Sequence, residues 1–242
     1  MDTSVSSRRA ANSGLKGLRP LRRGGAAGGR LHDEIYAALR QALIVGELIP
    51  GQVFPIRTLA ERFGTSLIPV RDALKRLVAE RALLMLPNRT VCIPKMTRAR
   101  FQELLQVRLS LETKLAHRAS ELIRQEDILE LESINESMQA AARKGNVKAY
   151  LVANHAFHFR LYSVTNSLVM LPIVESLWMQ VGPFLNGVFT AAGTKNAHDN
   201  HEQILKALRR RDPVAVADAV SSDLVDAADV ILARKDFMFD ED

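Results

Sequence analysis

The residues of this chain best suited to chemistry are histidines in its C-terminal half. Asn154 and His158 are four residues apart, so on a helix both side chains project from one face. His201 begins the apolar stripe of a later predicted helix, and Asp223 lies on the last one. An imidazole at such a position can bind a metal ion, but inside a helical bundle it is more often a hydrogen-bonded core residue. The spacing alone leaves both interpretations open.

A second group of polar side chains lies between residues 46 and 94. The pattern predicts a helix over 58–63, a three-residue turn, and a second helix over 69–77 with one apolar face. Burial of that face leaves polar groups on the others, as a helix in a DNA major groove requires. These polar residues are Ser66, Arg71, Lys75 and Arg76. Residues 83–93 predict two short strands joined by a turn, a wing, and the segment is predicted to bind DNA.

The distribution of charge supports DNA contact at the N-terminal end only. The chain has 242 residues and a formal net charge of +6. Residues 1–30 contribute +6, residues 31–96 contribute +3, and residues 97–242 contribute −3. Residues 1–29 are predicted to be a disordered basic tail, either a solubilising extension or an arm that contacts phosphates. Residues 237–242 are an acidic tail.

Apolar periodicity predicts a mainly α protein of two domains. A helix over 31–45 should pack behind the helix-turn-helix, giving a winged helix-turn-helix domain with a small β-hairpin over 30–96. Residues 97–236 have helical periodicity without a strand signal and predict an all-α antiparallel helical bundle. Its helices are predicted at 97–123, 126–143, 147–164, 168–191, 195–210 and 213–235. Thr97 and Asp212 are the expected N-caps, and Gly182-Pro183 should kink the fourth helix.

Several classes of protein are excluded by composition and missing motifs. A single cysteine, Cys92, rules out a disulfide framework within one chain and fits a reducing cytosol, so a cytoplasmic location is expected. No apolar run reaches the roughly 18–20 residues that a membrane span needs. The chain has no HExxH, no Ser-His-Asp elbow and no Gly-rich phosphate loop, so we do not expect an enzyme.

The segment over 46–94 resembles the winged-helix domain of GntR-family transcription regulators. That family has a helix, then G-x-L-x-P-G, then L-A-x-x-(F/L)-G-x-S-x-x-P-V-R-x-A-L-x-x-L, then P-N-R and a hairpin. The residues in register are Gly46, Leu48, Pro50, Gly51, Leu59, Ala60, Gly64, Ser66, Pro69, Val70, Arg71, Ala73, Leu74 and Leu77. The resemblance implies a homodimer that binds a pseudo-palindromic operator in double-stranded DNA.

The resemblance also implies which residues contact DNA and where this chain departs from the family. The contacting residues would be Arg57, Ser66, Arg71, Asn88 and Arg89. Ser66 could bind a phosphate or serve as an ordinary N-cap. The departures are Leu67, in place of a basic residue, and Arg81 and Thr90, in place of glycine. They predict a missing DNA contact, an altered turn and a bulkier wing.

The bundle is similar to the FCD effector domain of the FadR subgroup. Arg108-x-x-Leu111-Glu112 and the segments around residues 157, 166 and 204 carry the likeness. The usual metal ligands of that domain are an Asp, a His four residues on, and two further His. They correspond here to Asn154, His158, His201 and Asp223, with Asn154 replacing the Asp and Asp223 the third His. The set suits a divalent metal ion such as Zn, Ni or Mn, with lower affinity than usual because a neutral amide is a weak ligand.

The resemblance assigns Arg108 and Asn166 to effector binding. Arg108 would bind a small carboxylate, although an internal ion pair with Glu112 explains it equally well. His155 and His198 are expected to face solvent or the rim of the pocket. Five further apolar residues are expected in the core or a dimer surface: Met170, Trp178, Met179, Phe184 and Phe189.

These observations favour a ligand-responsive transcription regulator, and more specifically a repressor. A carboxylate bound in the helical domain would shift the two DNA-binding domains and change operator affinity, with a coupling of about 1–3 kcal/mol. Two alternatives remain. One is a metal-dependent enzyme fused to a DNA-binding domain, and the other is a DNA-binding protein whose metal is structural or absent and which has no effector.

Overall fold

The computed structural model describes residues 28–87, 90–191 and 195–233. This part of the chain has nine helices and one small sheet, which confirms the predicted fold class. The helices are α1 (Gly28–Ile44), α2 (Ile56–Phe63), α3 (Leu67–Ala79), α4 (Arg98–Leu122), α5 (Gln125–Arg143), α6 (Val147–Ser163), α7 (Met170–Ala191), α8 (Lys195–Arg209) and α9 (Pro213–Leu232). The strands are β1 (Val53–Pro55), β2 (Leu84–Leu86) and β3 (Thr90–Cys92).

The N-terminal domain is built around the packing of α1 against α3. The stripe predicted for α3 is buried, since Val70, Leu74 and Leu77 are each fully inaccessible to solvent. Gly64 ends α2 in a left-handed conformation with φ 65°, which glycine adopts without a steric penalty. The helix-turn-helix therefore presents the opposite face of α3 to solvent.

The wing contains a strand that the sequence pattern does not predict. The hairpin of β2 and β3 is present, but β1 also pairs antiparallel with β3, giving the order β1-β3-β2. Phe54 lies opposite Val91 and both are buried, so this pair anchors the sheet to the core. A three-residue strand that ends in proline has no alternating pattern long enough to detect, which is why it was missed.

Helix boundaries differ from the predictions by a few residues. α1 begins at Gly28, so the end of the predicted 1–29 tail is helical, because extending an anchored helix adds a hydrogen bond for each residue fixed. The rest of that tail and the acidic tail lie outside the described residues. The predicted caps are confirmed: Thr97 accepts from the backbone N–H of Arg100, and Asp212 from that of Ala215.

Six helices form the C-terminal domain. α4 packs against α9, α7 and α6, while α5 packs against α6 and α8. α7 continues through Pro183 to Ala191. No helix in the described ranges is long and apolar enough to cross a membrane.

The two domains meet where α1 and its C-terminal turn pack against α7. A Cβ atom at Gly182 would lie 2.3 Å from the carbonyl oxygen of Leu43, so only glycine fits there without displacement. Asn186 donates a hydrogen bond to the carbonyl of Gly46 at 3.1 Å. Arg40 and Glu175 form an ion pair at 2.6 Å. α7 is therefore fixed to the N-terminal domain through backbone, polar and charged contacts.

Candidate functional site

The exposed face of the helix-turn-helix carries the residues implied for DNA contact. Arg57 on α2, Ser66 before α3 and Arg71 on α3 are all exposed. Ser66 occupies the N-cap position of α3, but its side chain makes no capping hydrogen bond. Asn88 and Arg89 lie outside the described residues. The arrangement leaves the Ser66 hydroxyl and two guanidinium groups on the solvent side of the domain.

The three departures from the family pattern have local structural explanations. Leu67 is half-buried and packs against the core, so its position is used for packing. Arg81 adopts a left-handed φ of 58°. This is the conformation that glycine favours, so the turn has the shape expected with glycine, and the predicted altered turn is wrong. Thr90 begins β3, where it pairs with Pro55 and Leu86.

The candidate metal centre brings three of the predicted residues together from α6, α8 and α9. One ligand atom from each of His158, His201 and Asp223 lies within 4.8 Å of the other two. His158 Nε2 is 3.1 Å from Asp223 Oδ2, and His201 Nδ1 is 3.6 Å from Asp223 Oδ1. Both imidazoles are at most 1% exposed. Asn154, one turn before His158 on α6, is also buried.

Glu112 on α4 is the centre of a hydrogen-bond network behind His158. Its Oε1 accepts from Arg108 Nε at 2.7 Å. Its Oε2 accepts from the Tyr162 hydroxyl at 2.9 Å and from Trp178 Nε1 at 3.0 Å. Glu112 is fully buried, and the Arg108 guanidinium compensates its charge. The internal ion pair, one of the two predicted interpretations of Arg108, is therefore present.

This network sets the tautomer of His158. The Tyr162 hydroxyl has one proton and donates it to Glu112, so it can only accept from His158 Nδ1, which lies 3.2 Å away. Nδ1 then carries a ring proton, and Nε2 is the nitrogen that faces Asp223. Nε2 is buried 3.1 Å from the Asp223 carboxylate, so it can form an ion pair with Asp223 when the ring is protonated. When the ring is neutral, the same nitrogen is the one that would bind a metal ion.

The distance between His158 and Asp223 fits a divalent metal. Two ligand atoms at about 2.1 Å from a metal, at angles of 90–110°, are about 3.0–3.4 Å apart, and the 3.1 Å separation lies within this range. The 3.6 Å between His201 and Asp223 is slightly longer, so binding an ion would draw these two groups closer together. Two imidazole nitrogens and a carboxylate are borderline donors that suit Zn or Ni. The residues present therefore fit the ion that the FCD resemblance implies.

Asp223 is held as an anion in this cluster. Burial alone would raise its pKa, but His201, His158 and Arg108 outweigh that effect and lower it below the usual value. A buried carboxylate kept ionised among nitrogen groups is the form needed to bind a cation.

The two residues assigned to effector binding have different surroundings. Arg108 is buried, with its guanidinium carbon 4.7 Å from the centre of the Trp178 ring. It also lines a cavity of about 10 Å³, room for one water molecule, between α4, α7 and α9. Asn166 is exposed in the turn after α6, where it adopts a left-handed φ of 49°. The structure explains Asn166 as a turn residue, since asparagine tolerates this conformation.

Aromatic contacts place His155 and Trp178 beside the cluster. His155 stacks on Phe159 at 4.3 Å between ring centres and packs edge-on against Trp178. Burial, reinforced by Arg40 and His158, lowers the pKa of His155 to about 4, so its ring is neutral. His155 was expected to face solvent or the rim of the pocket. It is half-buried beside the cluster, which agrees with the second position. Trp178, Met179 and Phe184 are core residues as predicted. Met170 is half-buried against the core, whereas the side chains of Phe189 and His198 lie outside the described part.

Sequence reasoning missed the roles of Tyr162 and Trp178. The spacing of His158 and Tyr162, one helical turn apart, is a signal that could have found the first. Trp178 lies 66 residues from Glu112 along the chain, and no local pattern links them.

A winged helix-turn-helix joined to a helical domain with a buried polar cluster defines a class of two-domain DNA-binding regulators. Residues 31–93 match the family described as bacterial regulatory proteins, gntR family, and residues 103–226 match the FCD domain. The HTH-type transcriptional regulator McbR of Escherichia coli is 30% identical over 177 residues, which is 72% of this chain and 80% of that protein. The HTH-type transcriptional repressor RspR of E. coli is 22% identical, over 83% of this chain and 89% of its own.

The solved structure of E. coli McbR/YncC superposes with a TM-score of 0.79 at 26% identity, covering 83% of this chain and 96% of that one. The chain belongs to the GntR family and carries an FCD domain. It is a transcription regulator with a DNA-binding winged helix, and the members it matches are regulators, not enzymes.

Proposed function

We propose that the chain is a homodimeric repressor whose affinity for a pseudo-palindromic operator changes when a small carboxylate binds at a metal-containing pocket of the helical bundle. Repression is favoured by the likeness to a relative named as a repressor. Arg57, Ser66 and Arg71, with Asn88 and Arg89 of the wing, contact the DNA. A cytoplasmic location agrees with this role.

The observation that carries the proposal is the position of α7 between the two domains. At its centre, Trp178 donates a hydrogen bond to Glu112, which is linked through Tyr162 to His158. Two residues earlier, Ser176 donates to the carbonyl of Glu80, directly after α3, at 3.0 Å. One helix therefore contacts both the polar cluster and the end of the recognition helix, so a displacement of Trp178 would be felt at α3.

Asn154, His158, His201 and Asp223 would hold the metal ion. When bound, the ion supplies positive charge and open coordination positions for an anionic ligand. Arg108 supplies a second positive group nearby, since its Nε donates to Glu112 and the residue also lines the small cavity. Asn166 is exposed in the turn after α6 and is not among the residues that line this cavity, so it would contact the effector from outside it.

The cavity beside Arg108 has room for one water molecule, less than a small carboxylate needs. Binding therefore has to separate some of its walls, which belong to α4, α7 and α9. Val181 and Leu185 are the α7 residues in these walls, and Gly182 lies between them. An effector that pushes on this part of α7 acts directly on the interface with the DNA-binding domain.

The test is fluorescence anisotropy with an operator selected from randomised duplex DNA, in the presence and absence of Zn²⁺ or Ni²⁺ and a panel of small organic acids. We expect at least one acid to change operator affinity by about 5–150-fold, the range of ordinary allosteric coupling. If no acid has an effect with any metal, the effector-dependent part of the proposal fails.

A variant pair tests the DNA-binding part separately. Arg71→Ala should lower operator affinity by about 1–3 kcal/mol, whereas Arg118→Ala, an exposed arginine on α4, should have no effect. If Arg71→Ala binds as tightly as the wild type, the recognition-helix assignment is wrong.

A further inference from the structure

We infer that Ile68, the second residue of α3, contacts the C5-methyl group of thymine in the operator and is a specificity-determining residue of the recognition helix. The inference rests on the proposed DNA-binding function. It concerns a position that carries no charge and makes no polar contact, and that the family motif does not assign to DNA.

The exposure of Ile68 is the first observation. Its side chain is 69% exposed, the highest value among the large apolar residues of the described N-terminal domain. The neighbouring Leu67 turns toward the core, so the helix buries one of two consecutive apolar residues and presents the other. Single exposed apolar residues are common on proteins, and exposure alone assigns no role.

The helical face on which Ile68 lies is the second observation. Ile68, Arg71, Asp72 and Lys75 follow the spacing i, i+3, i+4, i+7 and are all exposed. The buried residues Val70, Leu74 and Leu77 lie on the other side of the helix. Ile68 therefore shares its face with Arg71 and lies one turn closer to the N-terminus of the helix, the end that reaches base edges in helix-turn-helix proteins.

The chemistry of the major groove decides what such a side chain can recognise. Isoleucine has no hydrogen-bonding group, so it cannot bind the polar edges of guanine, adenine or cytosine. The one apolar group presented in the major groove is the thymine methyl. Contact between the two removes apolar surface of both from water, which is favourable, whereas a polar edge left against Ile68 would lose hydration.

Replacing thymine by deoxyuridine provides a direct test, because it removes only the C5-methyl and keeps every hydrogen-bonding group. Operators are first selected from randomised DNA with the full-length protein. Each thymine is then replaced in turn. We expect wild-type affinity to fall about three- to tenfold at one or two symmetry-related positions of each half-site, as the loss of a buried methyl implies.

Ile68→Ser should bind the thymine operator more weakly and lose its sensitivity to deoxyuridine at those positions. Val214→Ser is the matched control, since Val214 is also β-branched, is 62% exposed and is the second residue of α9. This control should keep the wild-type response.

Three outcomes would overturn the inference. The first is wild-type binding that is unchanged by deoxyuridine at every position, and the second is full sensitivity retained in Ile68→Ser. The third is a wild type that selects no DNA sequence at all. That result would remove the proposed DNA-binding function, and this inference with it, whereas in the first two cases the proposed function stands.

Discussion

At the scale of single residues, the buried cluster depends on how its charges compensate one another. Glu112 and Asp223 are both buried carboxylates, and each lies beside different nitrogen-containing side chains. Arg108 pairs with Glu112, while Asp223 lies between His158 and His201. Removing one partner leaves a buried charge without compensation, which is more destabilising than losing both. A metal ion would complete the second pair as the arginine completes the first.

Binding of Zn²⁺ should therefore raise the melting temperature, and His201→Ala should abolish the effect. At a free metal concentration about 100 times Kd, the stabilisation is about 2.7 kcal/mol, or about 5–10 °C for a protein of this size. The measurement is a thermal unfolding series with and without added Zn²⁺ or Ni²⁺.

The matched control for that series is His117→Ala, because the His117 side chain is 46% exposed on α4 and lies outside the cluster. It should retain the full metal-induced shift. A shift of equal size in His201→Ala would show that the stabilising ion binds elsewhere.

The stability of the bundle in acid should depend on Asp127, at the start of α5. The backbone N–H of Arg124 donates to its carboxylate at 2.9 Å, and Arg160 of α6 pairs with it. The Arg124 hydrogen bond, opposed by burial and reinforced by Arg160, lowers the pKa of Asp127 below its ordinary value. The ionised form therefore stabilises the fold above the ordinary pKa of about 4, and this contribution is lost as the pH falls through the lowered value.

The free energy of unfolding of Asp127→Asn should fall less steeply below pH 4 than that of the wild type. Urea denaturation at a series of pH values measures it. Glu126→Gln removes an exposed carboxylate from the same first turn and should follow the wild-type curve. Identical acid profiles for Asp127→Asn and the wild type would contradict the role given to Asp127.

Residue patterns predicted the parts of the site that lie on single helices. Asn154 and His158 are together on α6 because they are one turn apart, and the Arg108–Glu112 pair follows the same rule. The joining of α6, α8 and α9 at Asp223 came from the family resemblance, since periodicity does not fix which helices meet. The link from Glu112 to Trp178 depends on packing between α4 and α7 and could not be read from either helix alone.

At the scale of elements, the turn after the recognition helix keeps its shape at some strain. Arg81 and Arg211 both follow a helix and adopt left-handed conformations with φ 58° and 52°. This conformation costs a residue with a Cβ atom about 1–2 kcal/mol, whereas glycine adopts it without that cost. The helix-turn-helix fold thus tolerates arginine at position 81 because the surrounding contacts determine the backbone.

Arg81→Gly should raise the free energy of unfolding by about 0.5–1 kcal/mol, because relief of the strain exceeds the added flexibility of glycine in the unfolded chain. Urea denaturation followed by circular dichroism gives the value. Arg118→Gly, in the interior of α4, should instead lower stability by about 1 kcal/mol. Destabilisation by both variants would show that the Arg81 side chain makes contacts worth more than the strain.

The elements themselves were largely predictable, with one informative exception. Every helix of the described chain was anticipated from apolar periodicity and capping residues such as Thr97 and Asp212. β1 was not, because it is three residues long and is defined by its pairing with β3. Its partners lie far away in sequence, from 35 residues for Pro55 and Thr90 to 39 residues for Val53 and Cys92. Short strands whose pattern is set by a distant partner carry no local signal.

At the scale of the whole molecule, the contact of Gly182 with α1 sets how the two domains are joined. The backbone of α7 approaches the carbonyl oxygens of Leu43 and Ile44 more closely than any side chain would allow. The hydrogen bonds from Ser176 and Asn186 lie on either side of this point. The DNA-binding domain is therefore held by a short rigid segment of α7.

Gly182→Ala should force the domains apart, because the alanine Cβ would lie 2.3 Å from the carbonyl oxygen of Leu43. That oxygen belongs to the backbone of α1 and cannot rotate away as a flexible side chain can. Overpacking of this kind lowers stability by about 1–3 kcal/mol. Differential scanning calorimetry should show a lower melting temperature with the two domains unfolding less cooperatively.

Ser137→Ala is an equally small change at an exposed position of α5, and it should leave the calorimetric profile unchanged. In the same variants, the response of operator affinity to an effector should be reduced by Gly182→Ala and kept by Ser137→Ala. A wild-type melting curve for Gly182→Ala would mean that the interface is not closely packed in solution.

The chain contains a single tryptophan, Trp178, and its position has a practical consequence. The indole lies under the Arg108 guanidinium, 5.4 Å from the His158 ring, with its N–H on Glu112. The tryptophan fluorescence of the protein therefore reports this one environment. The emission of the unlabelled protein is thus a local optical reporter of the buried cluster, and titrations of metal and candidate ligands can be followed by it without introducing a dye.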